Sequence, residues 1–284
     1  MKTVIPVDDS SPRPDASVSG PATGDRLWTA IIMAGQRPGP DLMADASNVL
    51  YKALIPIAGQ TMLERVVRAL LASRHVGRVV VMAQSAEALK LALGADLAER
   101  DDIAFVASGD GIATSVHAIV GTAGAPWPVL VTTADNALLT GEIIDSFIAG
   151  HNGQNVAVGV VERRTMLAAY PDARRTWLKF RGGAYSGANL FALYNEEAKP
   201  AVAFWSSVEQ DRKKGWKIFA RFGPRLLLRA LSRTISFKDA MARAGDSLSL
   251  RAEPIILPFA EAAIDVDKPA DLALVTGILE RREG

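Results

Sequence analysis

Short, nearly continuous apolar runs recur along this chain between stretches of helical spacing, and that alternation limits the folds open to it. The runs are Trp28–Met33, Arg78–Ala83, Ile103–Ala107, Pro128–Thr133 and Asn155–Val161. A strand that is apolar on both faces must be covered on both faces. The pattern therefore predicts a mainly parallel sheet packed between helices, the α/β class. Helices are expected over Met62–Leu71, Ala86–Leu97, Ile112–Val120 and Gly141–Gly150. Trp177–Phe180 and Ser186–Leu193 read as a strand pair that makes the sheet mixed. A last strand over Glu253–Pro258, a loop over Ala260–Lys268 and a closing helix over Pro269–Arg282 complete the pattern, the proline suiting a first helical turn. Ligands of such sheets sit beyond the carboxyl ends of the strands. Gly35, Ser108 and Asp135 each lie just past such an end, so the pattern gathers them at one site.

The loop after the first run, Ala34-Gly35-Gln36-Arg37-Pro38-Gly39-Pro40, joins glycines to one guanidinium, and Lys52 follows in the apolar setting Tyr51-Lys52-Ala53-Leu54-Ile55-Pro56-Ile57. Backbone N–H groups of a glycine loop can approach phosphate oxygens, and Arg37 and Lys52 can neutralise them, an arrangement that suits a triphosphate. A strand, a glycine turn and a helix also open many α/β domains, so the loop alone decides nothing. Asp135 ends the run Val129-Leu130-Val131-Thr132-Thr133-Ala134, where a carboxylate could bridge through Mg²⁺ to a nucleotide or could simply cap a turn.

Three motifs, Ala34-Gly35-x-Arg37, Lys52-Ala53-Leu54-x-Pro56-x-x-Gly59 and Met62-Leu63-Glu64-Arg65-Val66, resemble the MobA-like nucleotidyltransferases. The resemblance runs from about Trp28 to Leu193 and resumes at about Ile255 to Leu279. It implies a Rossmann-like fold of the GT-A type. The family carries two adjacent glycines after the alanine, and Gln36 stands at the second here, leaving one backbone approach to the phosphates less free. The resemblance also implies roles. Ala34, Gly35 and Gln36 would border the phosphates. Ser108, Gly111 and Ser115, in a segment like the family's Gly-x-x-x-Ser-Val, would hold base and ribose. Asp135 would be the first metal ligand. Ile264-Asp265-Val266-Asp267-Lys268-Pro269-Ala270-Asp271-Leu272 is similar to the family's ending that supplies the second. Asp265 and Asp267 alternate, so an extended segment puts both on one face; Asp267 is favoured, and Asp271 reads as a first-turn cap. Ser186-Gly187-Ala188-Asn189 resembles the family's acceptor segment, which makes Asn189 an acceptor-binding residue, with Arg175 and Lys179 nearby cations for an anionic acceptor.

The chain has no cysteine, which excludes disulfides and thiolate chemistry. His75, His117 and His151 are scattered without metal-ligand spacing, and a formal net charge of +1 does not announce nucleic acid. The first 25 residues are rich in Pro, Ser, Asp and Gly and read as a disordered tail, with no signal peptide or membrane span. Residues 26–284 then form one domain with a helical insertion at about 196–250, and the protein is expected in the cytoplasm. Between Arg212 and Arg233 the insertion holds basic residues and no acid, with Gly223-Pro224 expected to split it into two helices. A basic amphipathic pair suits an anionic membrane surface, and equally a helical cap with a solvated face.

Taken together, these features predict a Mg²⁺-dependent nucleotidyltransferase that joins the NMP of an NTP, CTP or GTP by resemblance, to a phosphorylated small molecule. Its catalytic cations would be Arg37 and Lys52. The sequence leaves two rivals. One is a GT-A glycosyltransferase using a nucleotide sugar, for which Asp265-Val266-Asp267 is a formal Asp-x-Asp. The other is a nucleotide-binding protein that kept the fold without the chemistry.

Overall fold

Strand β1 (Trp28–Met33) is buried at every position, as a run apolar on both faces requires. The computed structural model of the protein describes residues 27–35, 39, 41–109, 111–208 and 222–283. The expected tail, the loop residues Gln36 and Arg37, and the basic residues Arg212 to Arg221 lie outside the described residues. After β1 the chain forms α1 (Leu42–Ala46), a 3₁₀ turn (Lys52–Leu54), the antiparallel pair β2 (Pro56–Ile57) and β3 (Gln60–Thr61), and α2 (Met62–Leu71). It continues through β4 (Val76–Ala83), α3 (Ala86–Ala92), α4 (Ala95–Ala98), β5 (Ile103–Ala107), α5 (Ile112–Ile119), β6 (Val129–Thr133) and α6 (Gly141–Ala149). Then come β7 (Val156–Glu162), α7 (Arg163–Ala169), β8 (Leu178–Phe180), β9 (Gly183–Leu193) and α8 (Lys199–Val208). The described chain closes with α9 (Pro224–Leu231), α10 (Phe237–Asp246), β10 (Ala252–Leu257) and α11 (Pro269–Glu283).

The main sheet has eight strands in the order β10-β7-β9-β6-β1-β4-β5, with β8 paired to β9. All its pairings are parallel except those of β9, which runs antiparallel to β6, β7 and β8. The sheet is thus mixed and mainly parallel, with apolar clusters on both faces. From β1 the chain moves outward to β4 and β5, then returns to place β6 on the other side of β1. Strand order reverses there, and the crevice at such a switch point is where open α/β sheets bind ligands.

Local chemistry explains where the elements begin. Helix α2 is capped by Thr61, whose hydroxyl accepts from the Glu64 amide at 3.1 Å, and it buries Met62, Leu63, Val66, Val67, Ala69 and Leu70 on one side. Two expectations need correction. The helix over Ala86–Leu97 is two helices, because Leu93 turns extended and Gly94 starts the second one. Helix α7 was not anticipated, since only Met166 of its residues is buried and no apolar period announces it. Of the split expected at Gly223-Pro224, the described residues hold the second half: Gly223 has φ +101° and Pro224 opens α9.

The larger core is built around α2, α6 and one face of the sheet. Phe147 on α6 is fully buried within it. Phe147→Ala is expected to cost roughly 3–5 kcal/mol, the usual range for emptying an aromatic core position, as read from urea unfolding midpoints.

Candidate active site

Lys52 sits on the 3₁₀ turn between two anchored neighbours. The Tyr51 hydroxyl accepts from the Ser85 amide at 2.9 Å, and Ala53 and Ile55 are buried. With its flanks packed away, the lysine side chain projects into a cleft of about 840 Å³ above the carboxyl ends of β1 and β6. There its ammonium donates to Asp135 Oδ2 at 2.8 Å and to Asp267 Oδ1 at 2.9 Å. The side chains of Lys52 and Asp135 are 19% and 20% exposed and that of Asp267 is 60% exposed, so the first pair is sheltered and the second faces solvent. Burial works against the charge on Lys52. Asp135 and Asp267 outweigh it by charge and hydrogen bonding, and the ammonium is held above the usual lysine value.

The second carboxylate segment shows why its residues alternate. Ile264 and Val266 are fully buried, while Asp265 and Asp267 turn into the cleft. The Val266 amide donates to the Asp135 carbonyl at 3.1 Å, which ties this segment to the end of β6. Oxygens of Asp135, Asp265 and Asp267 all lie within 4.8 Å of one another. Oδ1 of Asp135 is buried and has no hydrogen-bond partner, the condition of a ligand atom facing a cation. A site of carboxylate oxygens suits a hard divalent cation such as Mg²⁺.

Strand β9 brings Asn189 to the same place. Its pairing with β6 ends at Phe191, and the β7 ladder shifts register nearby. Asn189 itself is left-handed, φ +49°, a conformation asparagine tolerates better than most residues. Its side-chain amide donates to Asp265 Oδ2 at 3.0 Å. Arg175 also turns toward the acids, forming ion pairs with Asp265 and with Asp271, the latter at 3.4 Å.

The remaining sequence-derived residues divide. Ala34 and Gly35 line the cleft, and a Cβ at Gly35 would come within 2.8 Å of Gln84 Oε1. Ser108 keeps a buried hydroxyl without a partner at the end of β5. Ser115 spends its hydroxyl on the neighbouring loop, donating to the Gly111 carbonyl at 2.7 Å and accepting from the Gly109 amide at 2.9 Å. Gly111 caps α5. Lys179 is exposed on β8 and is not among the residues that line the cleft.

Other cleft residues escaped the sequence reading. Trp205 on α8 lines the cleft and stacks on Phe191, ring centres 6.0 Å apart and planes 21° apart. Asp41 also borders it while accepting from the amides of Met43 and Ala44 as the cap of α1. An aspartate before a helical stretch signals that cap; no sequence period signals Trp205.

The sequence pattern of the MobA-like NTP transferase domain matches residues 44–233. No curated protein sequence matches the chain. Among solved structures, a hypothetical transferase from Thermus thermophilus superposes with TM-score 0.70 at 24% identity, covering 87% of this chain and 99% of its own. The 4-diphosphocytidyl-2C-methyl-D-erythritol synthase of Anaerococcus prevotii gives TM-score 0.54 at 10% identity, covering 90% and 97%. A CMP:2-keto-3-deoxy-manno-octonic acid synthetase, solved with CTP, gives 0.54 at 12% identity, covering 90% and 99%. At these identities the superpositions speak for a shared fold.

Proposed function

The chain belongs to the MobA-like NTP transferase family and is a nucleotidyltransferase, and we propose that it transfers NMP from an NTP, CTP or GTP, to a phosphorylated small molecule with release of pyrophosphate. The observation that carries this reading is the meeting of Lys52, Asp135 and Asp267 in one cleft at the switch point of the sheet. CTP is the first nucleotide to try, because two proteins of like fold are named for cytidine nucleotide chemistry.

Asp135 and Asp267 would hold Mg²⁺, which when bound neutralises phosphate charge. Phosphoryl transfer of this kind needs positioning and charge stabilisation more than a general base. The amides of Ala34 and Gly35 would approach phosphate oxygens, with Gln36 and Arg37 completing that loop. The Lys52 ammonium would turn from the carboxylates to the α-phosphate as negative charge grows there. The orphaned Ser108 hydroxyl would take a hydrogen bond from base or ribose, and Ser115 would act by fixing the Gly109–Gly111 loop that presents it. Asn189 would stand at the acceptor side of the cleft, with Lys179 farther out on β8.

The test is a thermal-shift panel of ATP, CTP, GTP and UTP with and without Mg²⁺, followed by pyrophosphate release with phosphorylated sugars, polyols and amino alcohols. A Mg²⁺-dependent shift with one nucleotide and pyrophosphate release with one acceptor class is the expected result. Release of a nucleoside diphosphate from a nucleotide sugar would favour the glycosyltransferase instead. Binding without turnover on any acceptor would favour a nucleotide-binding protein.

The same reading extends to one surface. On α9, Leu228 and Leu231 are 68% and 65% exposed beside Arg225 and Arg229. That helix would rest on an anionic membrane, apolar residues inserted and arginines on headgroups. No described helix is long and apolar enough to cross one. Vesicles containing phosphatidylserine are expected to sediment the protein at low salt and release it at high salt. Equal recovery with neutral vesicles would remove this contact.

A further inference from the structure

We infer that Arg175 is a positioning residue for the carboxylate site, acting through Asp265 and Asp271. The inference rests on the metal-dependent reading above. Arg175 lies on the segment before β8, and its side chain is only 12% exposed. One end of its guanidinium pairs with Asp265 Oδ1. The other lies 3.4 Å from Asp271 Oδ1 and 3.4 Å from the Asp265 carbonyl. Asp265 offers its second oxygen to Asn189, and Asp271 offers its second oxygen to the Asp267 amide at 3.1 Å. A continuous chain of charged and polar contacts thus runs Asn189–Asp265–Arg175–Asp271 and ends on the backbone of Asp267.

The chemistry separates two acids that share one extended face. The guanidinium meets the Asp265 carboxylate with one nitrogen and Asp271 and the Asp265 carbonyl with another, and its charge offsets both carboxylates. Asp265 is ion-paired to Arg175 and accepts from the Asn189 amide at its other oxygen. Asp267 faces the open cleft opposite Asp135. Arg175 then cannot be spent on an acceptor without releasing Asp265 and loosening the residue that bears Asp267. Partners that orient a metal ligand typically tune metal affinity by about 10–100-fold, and Arg175 reaches Asp267 in two contacts through Asp271.

The experiment uses Mn²⁺ as a spin probe, titrated by EPR into the full chain without nucleotide. Asp267→Asn is expected to weaken Mn²⁺ binding more than about tenfold. Arg175→Met is expected to weaken it by about 10–100-fold, with Arg175→Lys intermediate because charge remains and the fork is lost. The double variant Arg175→Met/Asp265→Asn should bind no worse than Arg175→Met alone, the sign of one residue acting through the other. In turnover, Arg175→Met should raise the metal concentration for half-maximal rate and leave the acceptor KM unchanged. A double variant that binds Mn²⁺ far more weakly than Arg175→Met alone would overturn the inference. So would a raised acceptor KM with Mn²⁺ affinity intact, which would make Arg175 an acceptor ligand. Should Arg175→Met not fold, Arg175→Lys still decides. Failure of the wild type to bind Mn²⁺ would instead overturn the metal reading itself.

Discussion

Lys52→Met is expected to lower turnover by roughly 10²–10³-fold while leaving Mn²⁺ affinity undiminished. One preorganised donor aimed at developing charge is worth about that much where water is excluded. The lysine side chain is sheltered and its pKa is raised, so the group removed is a full positive charge at neutral pH. In the structure the ammonium is bound to Oδ2 of Asp135 and Oδ1 of Asp267, the same two carboxylates that would hold a cation. Removing it strips a competitor from the carboxylates, so metal binding should not weaken. Without a cation the two acids then face each other unneutralised, and the melting point should fall. Because Asp267 is mostly exposed, that penalty is small, about 1 kcal/mol, and saturating Mg²⁺ should cancel it. Turnover retained within about threefold would remove Lys52 from the chemistry.

Much of this arrangement is legible in the sequence, for reasons that differ residue by residue. The buried strands were plain because a parallel strand covered on both faces needs an unbroken apolar run, and β1 buries all of Trp28 to Met33. The Asp265/Asp267 pair was legible as a shared face, since Ile264 and Val266 alternate with it into the core. What holds Asp265 in place is not legible there. That depends on Arg175, some 90 residues earlier, reaching Asp265 across the fold. Periodicity reports the local face of an element and carries nothing about such distant pairings. The same limit hides the pairing of Arg175 with Asp265 and Asp271, because a lone arginine near a substrate segment looks like a free cation in sequence. Trp205 was hidden for a related reason. It comes from the insertion, and only the packing of α8 beside α5 and Phe191 brings its ring to the cleft.

Asp135→Asn should remove the Mg²⁺-dependent part of the nucleotide thermal shift and lower turnover by about 10³-fold. The substitution keeps the side-chain shape. The backbone bond from Val266 to the residue-135 carbonyl does not depend on the carboxylate, so the Asp265–Asp267 segment stays in place. What disappears is one oxygen and the negative charge of a carboxylate whose buried, partnerless Oδ1 a cation could take. A metal supplies several kcal/mol of charge stabilisation in such reactions, and each 1.4 kcal/mol is about tenfold in rate. Lys52 loses its sheltered carboxylate but keeps Asp267, so the protein should still fold and still bind nucleotide weakly through the β1 loop. The two variants therefore part on one readout: Lys52→Met keeps Mn²⁺ binding and loses rate, whereas Asp135→Asn loses both. If Asp135→Asn kept the Mg²⁺-dependent shift, the cation would have to be held without the one acid that ends β6, and the crevice between β1 and β6 would no longer be where the triphosphate binds.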